Sequence, residues 1–495
     1  ISSVTTPGRG GRPTLRDLKD VEEIQILDAL KTTEGGTSSY IVYVIQSSRG
    51  IARHRYSEFE SLRSSLVSLY PVLIVPPIPD KQSIGDYAFH PASVSKTKED
   101  PATVARRRRM LAVFLNRLVR HPVLGREKIL WRFLSEDLAW SEVLHQPPLT
   151  TLPKNPLRAP AHNPADSDLQ ALFSHLPVPS SSSAPLQDPD QRFLDSEVFT
   201  QKFSSHLTGS LEKINRRLMK RWNEHAVDQA ELGGILNGFA LVEEAAEATG
   251  TAIERTGQAV DATYIATNAM LQDWESKFTE PLHEYAQFSN VIKHLLRYRH
   301  MKQAQFEMAR DTLETKRLVL EDLERSESEA QRLESALSRV RQLDVQRSAS
   351  DRSGTATGEG GGGNGSNVED ESTSHVIGST GPVILNPVRK PISTGFLGAL
   401  RHSLNGISDG DPESTRRNSI GKHRDYISNL EEGLRAAAAD LRYSSQTIQA
   451  DLDRFQRQKV ADLKEMCLSF AKFHIQLAKG NLEQWEAAKE DIMKV

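Results

Sequence analysis

Apolar residues follow different spacings along the chain, and each spacing predicts a different kind of structure. Between residues 20 and 55, apolar and polar residues alternate in short runs such as EIQILDAL and SSYIVYVIQSS, separated by turn signals; this pattern is typical of β-strands. From residue 57 to residue 138 the spacing changes to three and four, as at Phe59, Leu62 and Leu66, which predicts helices. We therefore expect a small α+β domain, with a three-stranded sheet followed by helices and crossed by the proline-rich segment VPPIPDK.

The rest of the chain divides into a linker and a helical region. Residues 140–190 are rich in proline, serine and alanine, which predicts a linker. Residues 191–495 have long helical periodicity, interrupted by an insert at about 346–424 whose composition predicts disorder. One apolar stripe consists of Leu282, Tyr285, Phe288, Ile292 and Leu295. A second consists of Ile427, Leu430, Leu434, Ala437, Leu441, Ile448, Leu452 and Phe455. Because each helix has an apolar stripe and no second layer to cover it, we expect an elongated three-helix bundle that dimerises.

Composition and motifs exclude several classes of function. The 495 residues have a formal net charge of -3, which argues against a nucleic-acid partner. A single cysteine, Cys467, excludes an internal disulfide and suits a reducing compartment; we expect this thiol to be buried or half-buried. The sequence contains no zinc-ligand spacing, phosphate-binding loop or nucleophile elbow, so we expect neither an enzyme nor a bound metal or cofactor.

Two further features concern membranes and the chain's start. No apolar run approaches the ~20 residues needed to cross a bilayer, so any action at a membrane is expected from its surface. The sequence begins at Ile1 rather than at methionine, and we expect an N-terminal segment to be missing.

Positive charge is concentrated around an aromatic ring in the segment RHRYSEFESLR, residues 53–63. Arg55, Lys81 and Arg107 belong to a predicted strand end, a proline-rich turn and a helix, and these three places can converge on one pocket. Arginine can grip a phosphate with two hydrogen bonds and lysine adds a point charge. The ring of Tyr56 can pack on the apolar face of a sugar-like ring. The alternative is a solvated strand edge with no ligand.

These motifs resemble those of the phox-homology (PX) domain, which binds phosphoinositides, over residues 20–139. The Arg-Tyr-x-x-Phe motif corresponds to Arg55, Tyr56 and Phe59, and the proline-rich motif to residues 76–81. The resemblance implies that Arg55 binds the 3-phosphate, Tyr56 stacks on the inositol and Lys81 binds the 1-phosphate.

The resemblance also implies that Arg107 bonds the 4- and 5-hydroxyls. His54 stands where many relatives have a second arginine, and we expect this difference to leave binding intact.

The helical region, residues 191–495, resembles the BAR domain of sorting nexins, and the whole chain most resembles the fungal sorting nexin 41 and autophagy-related sorting nexin 20 group. The resemblance implies a cytoplasmic protein that binds phosphatidylinositol 3-phosphate on endosomal membranes, with the pre-autophagosomal membrane as a second location. It implies a curvature-sensing homodimer, or heterodimer with a related PX-BAR sorting nexin, that acts with cargo proteins in endosomal sorting and retrieval and in selective autophagy. The alternative is a coiled-coil tether or scaffold whose PX-like block binds protein.

Three further segments are candidates for facing a membrane. The apolar residues after Lys81 are Ile84, Tyr87 and Phe89, which either enter the bilayer or pack on their own domain. A basic stripe consists of Lys213, Arg216, Arg217, Lys220 and Arg221, and a second basic cluster of Lys293, Arg297, Arg299 and Lys302 favours a membrane-facing surface. The apolar face in the insert consists of Phe396, Leu397, Leu400, Leu404 and Ile407, and it either packs on the helical body or enters a membrane interface.

Overall fold

A computed structural model of the chain describes residues 23–33, 39–80, 101–136, 138–180, 185–243, 247–350 and 412–494. Contacts divide the chain into two compact units, one formed by residues 1–310 with 432–495 and the other by residues 311–431. Within these described ranges, every helix is too short or too polar to be a membrane span.

The first structural element is a three-stranded antiparallel sheet in the order β1-β2-β3, as the apolar alternation predicts. Its strands are β1 (Gln25–Thr32), β2 (Tyr40–Ser47) and β3 (Gly50–Arg55). A tight turn joins β2 to β3, and Gly50 adopts a φ of 115° there, a backbone conformation that favours glycine. The sheet buries Tyr43 and Ile45 on one face.

Helices cover the buried face of the sheet and complete the α+β domain. They are α1 (Tyr56–Leu69), α2 (Pro101–Arg120), α3 (Lys128–Phe133) and α4 (Trp140–Leu144). The predicted apolar residues Phe59, Leu62 and Leu66 of α1 are fully buried in one core, together with Phe114 of α2 and Phe133 of α3. The expected α+β architecture is therefore confirmed.

The described part of residues 140–190 is packed against the long helices rather than extended freely. It contains α5 (Ser167–Ser174) and short 3-10 turns. The backbone N–H of Ala161 donates to Asp440 Oδ1 at 2.7 Å, and Lys302 Nζ donates to the carbonyl of Ala159 at 2.7 Å. Because side chains of the long helices match buried polar backbone groups at Ala159 and Ala161, this part of the stretch lies in a fixed place on the helices.

Long helices make up the rest of the described chain. They are α6 (Gln191–Ser204), α7 (Glu212–Val242), α8 (Glu247–Trp274), α9 (Glu280–Ser350) and α10 (Pro412–Lys494). Two π-helical segments, Ser205–Leu211 and Glu275–Thr279, join α6 to α7 and α8 to α9 without a break. The ends of the expected insert, 346–350 and 412–424, are helical, while residues 351–411 lie outside the described residues. The expected α+β domain followed by long helices is confirmed.

The apolar stripe from Leu282 to Leu295 is buried inside the chain. The expectation that this stripe has no cover within its own chain is therefore wrong. The residues of the stripe share a core with Val72 and Ile74 of the α+β domain and with Phe455 of α10. The stripe therefore already has a cover, because a segment distant in sequence packs on it, and a second subunit is not needed to bury it.

The unit formed by residues 311–431 contains the second half of α9 and the first turns of α10. Ion pairs join the two segments: Glu327 accepts from Arg416 at 3.2 Å and from Arg417 at 3.1 Å, and Arg424 pairs with Glu324 at 2.7 Å. Most of these side chains are exposed, so water and salt screen the pairs and each pair stabilises the contact only weakly.

Candidate functional site

Strand β3 directs its basic residues to alternate faces of the sheet. Arg53 and Arg55 are exposed, whereas Ala52 and His54 between them are buried. This period of two is the ordinary geometry of a strand. Arg55 therefore projects away from the core at the point where β3 ends and α1 begins.

His54 is a core residue and does not belong to the pocket. Its ring is 5% exposed and stacks on Phe133 with 3.8 Å between centroids. Its Nε2 lies 2.6 Å from the Phe133 carbonyl oxygen, and its Nδ1 lies 2.8 Å from Glu58 Oε2. The histidine therefore connects the sheet to α3, which explains why this position needs a buried ring rather than a second exposed arginine.

Glu58 positions Arg55, a role that the sequence analysis missed. The Arg55 backbone N–H donates to Glu58 Oε2 at 3.3 Å, and Arg55 Nε lies 3.5 Å from Oε1. Glutamate at the third position of a helix often accepts a hydrogen bond from the backbone N–H of the residue that caps the helix. The spacing of three residues between Arg55 and Glu58 could have indicated this bond from the sequence. The Arg55 side chain is 57% exposed, so its guanidinium remains accessible while its base is fixed.

Tyr56 brings together residues from three elements. Its hydroxyl donates to the carbonyl of Pro79 at the end of the proline-rich segment. The guanidinium carbon of Arg107, on α2, lies 5.4 Å from the centroid of its ring, within cation–π range. Burial, reinforced by the charge of Glu60, raises the pKa of Tyr56 to about 12, so the hydroxyl stays a neutral donor. The structure thus brings Arg107 to Tyr56, while Arg55 precedes Tyr56 in the chain and its side chain contacts Glu58.

The proline-rich segment is anchored at both of its ends. Arg63 Nε of α1 donates to the carbonyl of Pro76 at 2.8 Å. Asp80 Oδ2 lies 3.4 Å from Nε2 of His283 on α9, and His283 Nδ1 lies 3.0 Å from Glu212. The fourth predicted headgroup residue, Lys81, follows Asp80 and lies outside the described residues.

Helix α2, which carries Arg107, is held on the long helices by two more arginines. Arg109 pairs with Glu280 at 2.5 Å. Arg117 pairs with Glu284 at 2.6 Å and with Asp462 at 2.9 Å. Burial would lower the pKa of Arg117, but these carboxylates outweigh that effect and raise it, so the guanidinium is charged.

The membrane-facing candidates fall into three groups. In the basic stripe, Lys213, Arg217, Lys220 and Arg221 are exposed on α7 and Arg216 is half-buried. The apolar candidates outside the described residues are Ile84, Tyr87, Phe89, Phe396, Leu397, Leu400 and Leu404.

The prediction for the second basic cluster is wrong for Arg299 and Lys302, whereas Lys293 and Arg297 are exposed. Lys302 is 4% exposed and pairs with Asp440 at 2.8 Å. Arg299 is buried with its guanidinium 4.1 Å from the centroid of the Phe193 ring. These two cations hold the chain's own elements together, because the α5 region and α6 pack on this face of α9.

Cys467 is exposed, contrary to the expectation of a buried thiol, since its position on α10 faces outward. Among the described residues, no cluster of three or more histidine, cysteine, aspartate or glutamate side chains has the arrangement of a metal site.

One family model and several known proteins resemble this chain. Residues 43–137 match the family "PX domain". The chain is 49% identical over 499 residues to "Sorting nexin-41" of Cryptococcus neoformans var. neoformans serotype D, covering 97% of this chain and 73% of that protein. It is 38% identical to "Sorting nexin-41" of Yarrowia lipolytica, covering 97% and 80% of the two chains. It is 35% identical to "Autophagy-related protein 20" of Gibberella zeae, covering 95% and 84%.

A solved structure, "The cryo-EM structure of the SNX-BAR Mvp1 tetramer", aligns with 94% of this chain and 99% of its own chain, at 14% identity and a TM-score of 0.44.

Proposed function

The chain belongs to the sorting nexin-41 family of PX-domain proteins, and from that premise we propose that it binds phosphatidylinositol 3-phosphate at the surface of endosomal membranes. Sorting nexins of this family are not enzymes. In this proposal the chain forms a dimer that senses or induces membrane curvature. The dimer acts in endosomal protein sorting and retrieval and in selective autophagy. The pre-autophagosomal membrane is its second location, and cargo proteins are its further partners.

The contact of Arg107 with the ring of Tyr56, directly after the exposed Arg55, is the observation that carries the proposal. One accessible guanidinium, one fixed aromatic ring and a second guanidinium over that ring suit a phosphorylated inositol, since they supply charge-assisted hydrogen bonds and a ring surface. Lys81 would complete the site, because Tyr56 holds the backbone two residues before it.

Two exposed apolar stripes support dimerisation. On α7, Leu232, Ile235, Phe239 and Val242 recur at intervals of three and four and are all exposed. On α10 the exposed residues are Leu468, Ile475, Leu482 and Trp485. Both helices share a buried cluster that includes Met219 of α7 and Phe473 of α10. Stripes with this spacing fit helices of a second copy of the chain or of a related PX-BAR sorting nexin.

The basic stripe on α7 and the apolar residues near Lys81 form the rest of the proposed membrane contact. Lys213, Arg217 and Lys220 are exposed cations, and each basic residue near an anionic leaflet contributes about 1 kcal/mol. In the proposal, Ile84, Tyr87 and Phe89 enter the bilayer beside the headgroup, and the face from Phe396 to Leu404 enters the membrane interface.

The test is sedimentation of the full chain with liposomes that contain phosphatidylinositol 3-phosphate, compared with liposomes that contain unphosphorylated phosphatidylinositol. The Arg55→Ala variant should lose most of the specific binding, because a contact with two charge-assisted hydrogen bonds is removed. Arg53→Ala is the matched control, since Arg53 is also an exposed arginine and lies two residues earlier on β3.

Two results would reject this function. Equal binding of wild type to both kinds of liposome would favour the rival tether or scaffold, in which the PX domain binds protein. Equal loss of binding in Arg53→Ala and Arg55→Ala would show a general charge effect rather than a pocket at Tyr56.

A further inference from the structure

A second basic pocket lies at the opposite end of β3 from Tyr56. It is a cavity of ≈ 690 Å³ beside the β2–β3 turn and α3. Its lining includes Arg49, Arg126, Lys128, Trp131 and Arg132, which together we call the Arg49 pocket. Because a strand rises ~3.3 Å per residue, the five steps from Gly50 to Arg55 separate the two ends by ~17 Å.

Trp131 gives the Arg49 pocket a fixed apolar wall. Its indole Nε1–H donates to the carbonyl of Gly125 at 2.8 Å, which satisfies the polar atom and sets the direction of the ring. The guanidinium carbon of Arg49 lies 4.9 Å from the ring centroid. The ring is half-buried and the arginine is exposed, so both side chains present surface to an incoming group.

Among the described residues, the basic side chains of this pocket form no ion pair, although the carboxylate of Glu136 lies close to Gly50 at the β2–β3 turn. Within the described part of the chain, Arg49, Arg126 and Lys128 are exposed and have no carboxylate within ion-pair distance. Arg132 donates to the uncharged amide of Gln146 at 3.2 Å. By contrast, Arg109 and Arg117 of α2 each have a glutamate partner.

We propose that the Arg49 pocket binds an acidic peptide segment of a partner protein. Carboxylates of the peptide contact Arg49, Arg126 and Lys128, and a neighbouring apolar side chain packs on Trp131. Charge complementarity and an exposed aromatic surface are the features that such a segment recognises.

A soluble peptide fits this place better than a lipid surface. The preference for a peptide rests on the proposed headgroup site. A bilayer bound at Arg55 meets one end of β3, whereas Arg49 lies at the other end. A protein partner can then occupy the Arg49 pocket while the headgroup site is engaged.

The test is fluorescence anisotropy of a labelled peptide that alternates glutamate and leucine, titrated with the full chain. The comparison peptide has glutamine in place of each glutamate. Wild type should bind the acidic peptide at least ~10-fold more tightly, and the double variant Arg49→Glu with Lys128→Glu should lose that preference. Raising the salt from ~0.1 M to ~1 M should also weaken binding, because the screening length falls from ~10 Å to ~3 Å.

The matched control is Lys154→Glu with Arg435→Glu, which changes the charge equally at two exposed cations outside the pocket. Equal affinity of wild type for both peptides would overturn the proposal, as would equal loss in the control and pocket variants.

Liposome binding separates this proposal from the headgroup site. Arg55→Ala should keep peptide binding, and the pocket variant should keep binding to liposomes with phosphatidylinositol 3-phosphate. If the pocket variant instead loses liposome binding as Arg55→Ala does, the pocket is a membrane contact and the peptide proposal is wrong. If Arg55→Ala binds liposomes normally while the peptide results hold, only the headgroup site fails.

Discussion

Arg117 of the PX domain and Glu284 of α9 form a two-pronged hydrogen bond, with Nε 2.6 Å from Oε1 and Nη2 2.7 Å from Oε2. Both side chains are nearly buried, at 13% and 8% exposure. Arg117 lies on the same helix as Arg107, so a residue of the proposed headgroup site is rigidly connected to the long helices.

The Glu284→Leu variant should therefore unfold more easily than wild type. Removing one partner of a buried pair leaves the other charge without compensation, at a cost of about 3–5 kcal/mol, and Asp462 should keep the loss near the lower figure. Urea unfolding of the full chain measures this change. Adding Arg117→Leu should recover part of the stability, and no recovery in the double variant would contradict a direct pair.

Removing only the hydroxyl of Tyr56 should weaken headgroup binding. Tyr56→Phe keeps the ring beside Arg107 but removes the donor to the Pro79 carbonyl, so the backbone before Lys81 loses its anchor. A net hydrogen bond contributes about 1 kcal/mol, and we expect binding to be about fivefold weaker. Titration with a soluble inositol phosphate headgroup measures the effect, with Tyr40→Phe on β2 as control. Wild-type affinity in Tyr56→Phe would show that the hydroxyl has no role in the site.

Stability should fall in alkaline solution because of His283. Burial would lower its pKa, but hydrogen bonds to Asp80 and Glu212 outweigh burial and raise the pKa from 6.5 to about 9. Because the pKa of His283 is higher in the folded state, its contribution to the free energy of unfolding is complete below pH 6.5. This contribution is lost as the pH rises through about 9. The loss should be at most ~3 kcal/mol.

Urea unfolding below pH ~6.5 and above pH ~9 tests this linkage. The His283→Gln variant should lose less stability between the two conditions than wild type does. His175→Gln, at an exposed position, is the control and should behave as wild type. An identical pH dependence in His283→Gln would exclude this histidine as the cause.

The exposed stripe on α7 should hold a dimer together. Ile235 and Phe239 are 68% and 51% exposed, so replacing both with aspartate should cost little in the isolated subunit while placing charge in the interface. Sedimentation at micromolar concentration should show a dimer for wild type and a monomer for the variant. Val67→Asp, at an exposed apolar residue of α1, is the control. A folded wild-type monomer would contradict the proposed assembly.

Local patterns predicted the strands and placed Arg55 at a strand end, because a period of two places alternate residues on opposite faces regardless of the rest of the fold. The same patterns failed at Arg299 and Lys302. A charged helix face in sequence looks solvated, and only the distant stretch around Ala159 and the helix α6 reveal that this face is covered. The sequence likewise indicated an apolar stripe at Leu282 but not that Ile74 would cover it.

The packing of residues around 159–161 on the long helices limits how far the PX domain can move relative to those helices. A free chain of about 50 residues would span ~40 Å on average and let a tethered PX domain search a large volume for its lipid. Here the bonds from Ala161 to Asp440 and from Lys302 to Ala159 remove that search. In the proposed membrane-bound state, the PX domain and the helices beneath it therefore meet the membrane at one fixed angle, and a surface whose contour does not match that angle can satisfy only one of them at a time.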